Sequence, residues 1–162
     1  MEQDCYLPFH QRRIGPLTAG ATLTATAGDP APLRNGYDRQ IGADRNSWDA
    51  VPGDAVTMTW DQPTEIKRLR LVFDPDLSRT TRNMRSNYPL CPNYFSVPPS
   101  ILKEFKIELD QGDGHWITVN ETSCNHQRLV YIPMDKSARR LRFTALLTWG
   151  APKVRLFAMD IE

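Results

Sequence analysis

The run Lys103 to Leu109 narrows the possible folds more than any other segment: Phe105, Ile107 and Leu109 alternate without a break with Glu104, Lys106 and Glu108. A period of two puts successive side chains on opposite faces of an extended strand, so one face here is apolar and the other charged. A slip of one residue would expose every apolar group, which fixes the register. The turn Asp110-Gln111-Gly112-Asp113-Gly114 follows, and Trp116 to Val119 reads as the hairpin partner.

The same alternation recurs along the chain. Leu23, Ala25 and Ala27 oppose Thr22, Thr24 and Thr26; Val56, Met58 and Trp60 oppose Thr57 and Thr59 and stop at Asp61-Gln62-Pro63. Leu69, Leu71 and Phe73 then oppose Arg68 and Arg70, as on a strand with one solvated face. Leu129 to Ile132, the run Leu141, Phe143 and Ala145 against Arg140, Arg142 and Thr144, and Val154 to Ile161 complete about eight strands. No segment of ten or more residues repeats apolar positions at helical spacing, so helix is a minor component. The pattern predicts an all-β, antiparallel jelly-roll β-sandwich, with Trp48, Trp60 and Trp116 in the core or at its margin. A chain of 162 residues suits one domain. Residues 1–20 read as an N-terminal arm or linker, and 21–162 as the sandwich.

Charge narrows the function classes. Twenty basic residues face nineteen acidic ones, a net charge of +1. That gives no global field for nucleic acid or an anionic membrane, so neither is an expected partner and any ligand must be recognised locally. No run of eighteen apolar residues is present. Cys5, Cys91 and Cys124 lie too far apart for zinc spacing, and an odd number leaves one thiol unpaired. Reduced thiols, together with the absence of a leader-like stretch in the first residues, favour the cytoplasm as the expected compartment.

Catalysis is not expected from these residues. Asp74 and Asp76 stand at a strand end, where acidic residues are usually turn formers rather than an acid and base pair. Cys91, Cys124, His10, His115 and His126 lack a nucleophile's setting, so the Cys124 and His126 neighbourhood reads as a polar loop. The informative segment is the long loop from Asp74 to Ser100. It contains Arg79, Arg82, Asn83, Arg85, Asn87, Tyr88, Asn93, Tyr94 and Phe95. Planar multi-donor groups beside aromatic rings are what sugar hydroxyls and the apolar faces of sugar rings require. Arg79, Arg82, Arg85, Tyr88 and Tyr94, with Trp149 in the turn Thr148-Trp149-Gly150, are therefore the candidate ligand-binding residues. The same composition equally suits a docking surface with aromatic anchors.

The layout resembles the discoidin, or coagulation-factor type C, group of galactose-binding-like domains. The resemblance rests on Arg34-Asn35-Gly36-Tyr37-Asp38 followed by Asn46-Ser47-Trp48, a glycine turn before a buried tryptophan. A narrower resemblance, to the C-terminal domain of bacterial FAD-dependent oxidoreductases, rests on five segments. These are Asp4-Cys5-Tyr6-Leu7-Pro8, Leu69 to Leu77, Lys103 to Glu108, Asn125-His126-Gln127-Arg128 and Arg155-Leu156-Phe157-Ala158. This resemblance implies a non-catalytic accessory domain, with carbohydrate as the first expected ligand and the FAD-binding domain of a parent protein as a partner. Its alternative is a structural docking or oligomerisation domain with no ligand of its own. The flavin would not bind here, because the chain lacks the glycine-rich turn and helix of a dinucleotide site. The resemblance also implies possible calcium in the early loop, with Asn35 and Asp38 as ligands and Asp44 and Asp49 nearby. The glutamate that related domains bring from the last strand is replaced by Ala158.

Overall fold

The computed structural model describes residues 10–76 and 97–162. Seven antiparallel strands form one hydrogen-bonded surface: β1 (Thr22–Ala25), β2 (Trp48–Ala50), β3 (Ala55–Phe73), β4 (Leu102–Asp110), β5 (Ile117–Thr122), β6 (Leu129–Thr148) and β7 (Val154–Ile161). The order is β2-β7-β3-β6-β4-β5, with β1 also on β3.

The length of β3 and β6 makes this surface a sandwich. The first half of β3 pairs with β1 and with the second half of β6, which in turn carries β4 and β5. The second half of β3 pairs with β7 and with the first half of β6, and β7 carries β2. Between the halves the β3–β6 register breaks at Thr59/Thr64 and again at Ile66/Arg68. Pro63 lies in the first break, where a residue without an N–H removes no ladder bond. Each long strand thereby crosses between a first sheet (β1, β3, β6, β4, β5) and a second (β2, β7, β3, β6). Sequence reading splits both strands, taking Asp61-Gln62-Pro63 as an end; the segment is instead a bulged corner inside a continuous strand. It also leaves Trp48–Ala50 in a turn-rich stretch, whereas these residues pair with Val154 to Leu156 as β2.

The sheets close over an aromatic centre. Phe73 of the second sheet lies 5.5 Å from Phe105 and 6.4 Å from Phe143 of the first, ring centre to ring centre, and Trp48 meets Phe143 edge-on at 6.4 Å. All four are fully buried. The polar edges of the buried indoles are satisfied: Trp48 Nε1 donates to the Ala27 carbonyl at 2.8 Å and Trp60 Nε1 to that of Leu17 at 2.9 Å.

The second of these bonds ties the arm to the body. A single helical turn, α1 (Pro16–Ala19), packs on the core through Leu17, and buried Thr18 accepts a hydrogen bond from the Ile161 amide at 2.8 Å. Upstream, the Arg12 amide donates to the Gly36 carbonyl at 2.8 Å. Gly36 has φ of 84°, and a β-carbon there would stand 2.3 Å from the Arg12 carbonyl oxygen, so both backbone conformation and close approach require glycine. Residues 10–20 thus belong to the folded body.

Candidate functional site

Loops converge where β3 ends and β4 begins. The Phe73 amide donates to the Arg128 carbonyl and that of Asp74 to Arg155; Asn125 donates to Lys103, Trp149 to Ile101 and Ala151 to Pro99. Ser100 Oγ donates to the Asp74 carbonyl at 2.9 Å, so both roots of the long loop are joined. Of the candidate ligand-binding residues, Arg79, Arg82, Arg85, Tyr88 and Tyr94 lie outside the described residues, as do Cys5 and Cys91. Cys124 is an exposed free thiol. Trp149 is described and half-buried: its Nε1 donates to the Asn125 carbonyl at 2.6 Å and Lys103 Nζ sits 5.2 Å from its ring centre. Asn125 is held by bonds from its own amide to the Leu102 and Gln127 carbonyls. Trp149 is a fixed aromatic wall of this end.

Beside it runs a chain of ions on the outer side of the second sheet. Arg70 Nη1 donates to Asp160 at 2.9 Å and its Nη2 pairs with Asp38. Arg12, from the arm, donates to the same Asp160 oxygen at 2.5 Å. Asp160 is 3 % exposed and Arg70 8 %, which corrects the expectation that Arg70 faces solvent: the arm and the Asp38 loop cover it. Burial disfavours the Arg70 charge, but the bonds to Asp38 and Asp160 overcome this and raise its pKa.

Arg128 differs from its neighbours. It donates from Nη2 to the Asp38 carbonyl, and among the described residues it has no carboxylate partner. Burial lowers its pKa; the like charges of Arg39 and Arg70 add to the effect, while Asp38 and Asp74 oppose it. Three buried polar atoms in this one assembly, Arg128 Nε, Arg12 Nε and Asp160 Oδ1, have no hydrogen-bond partner among the described residues. Buried polar atoms of native proteins are almost always hydrogen-bonded, so these two donors and one acceptor are capable of bonding water or a polar ligand.

The acids weighed for other chemistry are committed elsewhere. Asp74 accepts from Arg155 at 3.1 Å, and Asp49 from Arg45 and Ser47, each at 2.6 Å. Asn35 donates to Asn46 Oδ1 and accepts from the Tyr37 amide, closing a local turn. The Asp38 carboxylate faces Arg70 and Arg12. A divalent cation at Asp38 would meet guanidinium charges, and among the described residues no three His, Cys, Asp or Glu side chains gather as a metal site. Ala158 packs with Val72 and Phe157 on the outer side of the second sheet. The Asp38 carboxylate is thus committed to the guanidinium chain, and Asn35 to a local turn.

No protein-family model matches the sequence, and no curated protein matches it significantly. Solved structures do. The family 32 carbohydrate-binding module of Streptococcus pneumoniae EndoD superposes with a TM-score of 0.66 at 16% identity, over 90% of this chain and 97% of the module. The family 32 module of AlyQ, in complex with 4,5-unsaturated mannuronic acid, gives 0.62 at 14% over 94% and 98%. That of C. perfringens NanJ, in complex with galactose, gives 0.61 at 11% over 89% and 94%. At these identities the likeness establishes the fold: a galactose-binding-like β-sandwich.

Sequence reasoning misses the ion chain and Arg128. One signal was available. Asp160 interrupts the apolar run Phe157-Ala158-Met159-Ile161, and an acid inside a buried strand needs a cation. Its partners Arg12 and Arg70 stand 148 and 90 residues away in sequence, beyond any local pattern.

Proposed function

We propose that this chain is a carbohydrate-binding domain without catalytic machinery of its own, and that its loop end takes glycans bearing a carboxylate, such as uronic acids. One observation carries the reading: Arg128 is a desolvated guanidinium with no carboxylate partner among the described residues. The sequence of the long loop rooted beside it holds Arg79, Arg82 and Arg85 and, over residues 77–96, no Asp or Glu. An acidic ligand supplies the missing charge, and guanidinium binds carboxylate in a planar, two-bond geometry. Trp149 offers an aromatic surface, and Tyr88 and Tyr94 enter by sequence alone. The modules with this fold whose ligands include a mannuronic acid derivative and pectin are consistent with the reading.

The test is calorimetric titration with mannuronate and galacturonate hexasaccharides against neutral galactose oligosaccharides. The expected result is saturable binding of an acidic glycan that falls at least tenfold in Arg128→Gln, the loss anticipated for one charge-assisted contact. Binding of no acidic glycan, or equal binding by Arg128→Gln, overturns the proposal.

A second reading is docking. Leu129 and Tyr131, 41 % and 45 % exposed, lie on the half of β6 that edges the second sheet. In the setting implied by the resemblance to flavin enzymes, a preceding FAD-binding domain would cover this strip. Arg68 stacks on Tyr131 at 4.5 Å and would form its polar border.

A further inference from the structure

The outer face of the first sheet carries a groove lined mainly by strand residues, with Thr26 and Gly53 at its edge. The groove has a volume of about 460 Å³. Pairing registers place Thr24, Thr57, Arg142, Glu108 and Thr118 side by side, one from each of the five strands. The adjacent row carries Thr144 and Lys106. At a spacing of about 4.8 Å, the four strands that line the groove span about 14 Å.

The charges in this groove are locked. Glu108 accepts from Arg142 Nε at 2.8 Å and pairs with Lys106 at 2.9 Å, and Arg142 lies over the Trp116 ring at 4.1 Å. Burial disfavours the Glu108 carboxylate, but these two cations more than offset it and its pKa lies below the ordinary value. The hydroxyls of Thr24, Thr57 and Thr144 and both terminal nitrogens of Arg142 make no hydrogen bond among the described residues. Hydroxyls donate and accept, guanidinium nitrogens donate, and a carboxylate in two ion pairs still has lone pairs to offer.

We infer that this groove is a second glycan site, distinct from the loop end, and that it takes a neutral, hydroxyl-rich oligosaccharide lying across the strands. Fixed donors and acceptors at strand spacing match a chain of sugar hydroxyls, and their rigidity lowers the entropy lost on binding. Glu108 holds both cations of the groove, Lys106 and Arg142, in ion pairs, which leaves little free charge to attract a polyanion, and no exposed large apolar side chain lines the groove to hold a protein partner. The two sites thus divide ligands by charge.

The test is an amide NMR titration of the full chain with cello-, manno- and xylohexaose. The expected result is saturable shifts at Thr24, Thr57 and Thr144 with one of these sugars, unchanged in Arg128→Gln. Binding should weaken at least tenfold in Thr57→Val/Thr144→Val, whose thermal melt confirms folding, and in Arg142→Gln. Shifts confined to the loop end, no shifts with any of the three sugars, or undiminished binding by the folded double variant overturn the inference.

Discussion

Asp160→Ala is the sharpest test of the ion chain that joins the arm, the second sheet and the loop end. Its side chain is 4 % exposed and accepts bonds from Arg70 and Arg12. Removing one partner of a buried pair typically costs about 3–5 kcal/mol, because the other charge stays buried and uncompensated. Arg70 keeps Asp38, which is 26 % exposed and therefore a weaker, better-solvated partner, so the expected loss is about 3 kcal/mol. In a domain of this size that lowers Tm by about 6–12 °C. Urea unfolding followed by tryptophan fluorescence measures it, since Trp48 is fully buried and reports the core. Arg12→Ala is the internal control: its side chain is 27 % exposed, and about 1 kcal/mol is expected. Replacing both charges, as Arg70→Met/Asp160→Leu, should cost no more than Asp160→Ala alone, because no buried ion is stranded. An Asp160→Ala loss below about 1 kcal/mol, the value of a surface pair, would refute the buried-ion argument.

Phe143→Ala removes the ring that touches Trp48, Phe73 and Phe105, and should cost about 4 kcal/mol and about 12 °C in Tm by thermal melt. Burial disfavours the Asp110 carboxylate, but the Gly112 amide and the Arg140 guanidinium overcome it and hold its pKa at about 2 against an ordinary 3.8. Its contribution is therefore complete above 3.8 and lost as pH falls through 2; the urea-midpoint gap between the parent and Asp110→Asn should close over that window. Calcium in excess, compared with a chelator, should leave Tm within about 1 °C, because a cation bound only by the folded state would raise it. Acidic-glycan binding should weaken several-fold between 0.05 and 0.5 M salt, as the Debye length shrinks from above 10 Å to a few Å; neutral-sugar binding at the sheet face should not.

What the sequence shows and what it hides follow from the range of each interaction. Alternation in Phe105, Ile107 and Leu109 is local, and the structure buries all three. The merging of two runs into β3 is not local, since Pro63 ends a strand or forms its corner depending on what pairs across from it. Arg70 reads as a solvated residue on the polar face of its strand, yet the arm and the Asp38 loop come from elsewhere in the chain to cover it. The threonines and charges of the groove were legible as outward positions of separate strands. Their alignment into one row was not, because it depends on four pairing registers at once.

The near-zero net charge conceals a segregation along the sequence. The segment 77–96 holds three arginines and no acid, so the remainder of the chain carries −2 out of a total of +1. Within that remainder the sheet faces pair their charges internally: Glu108 with Lys106 and Arg142, Asp110 with Arg140, Asp160 with Arg12 and Arg70. The one arginine-rich stretch of sequence without an acid is rooted beside Arg128, which itself has no carboxylate partner among the described residues. A long polyanion such as nucleic acid needs a basic stripe, and such a stripe would have to cross faces that present paired carboxylates. A single sugar carboxylate needs only one such guanidinium, so the proposed uronate-bearing ligand makes a smaller electrostatic demand than a duplex.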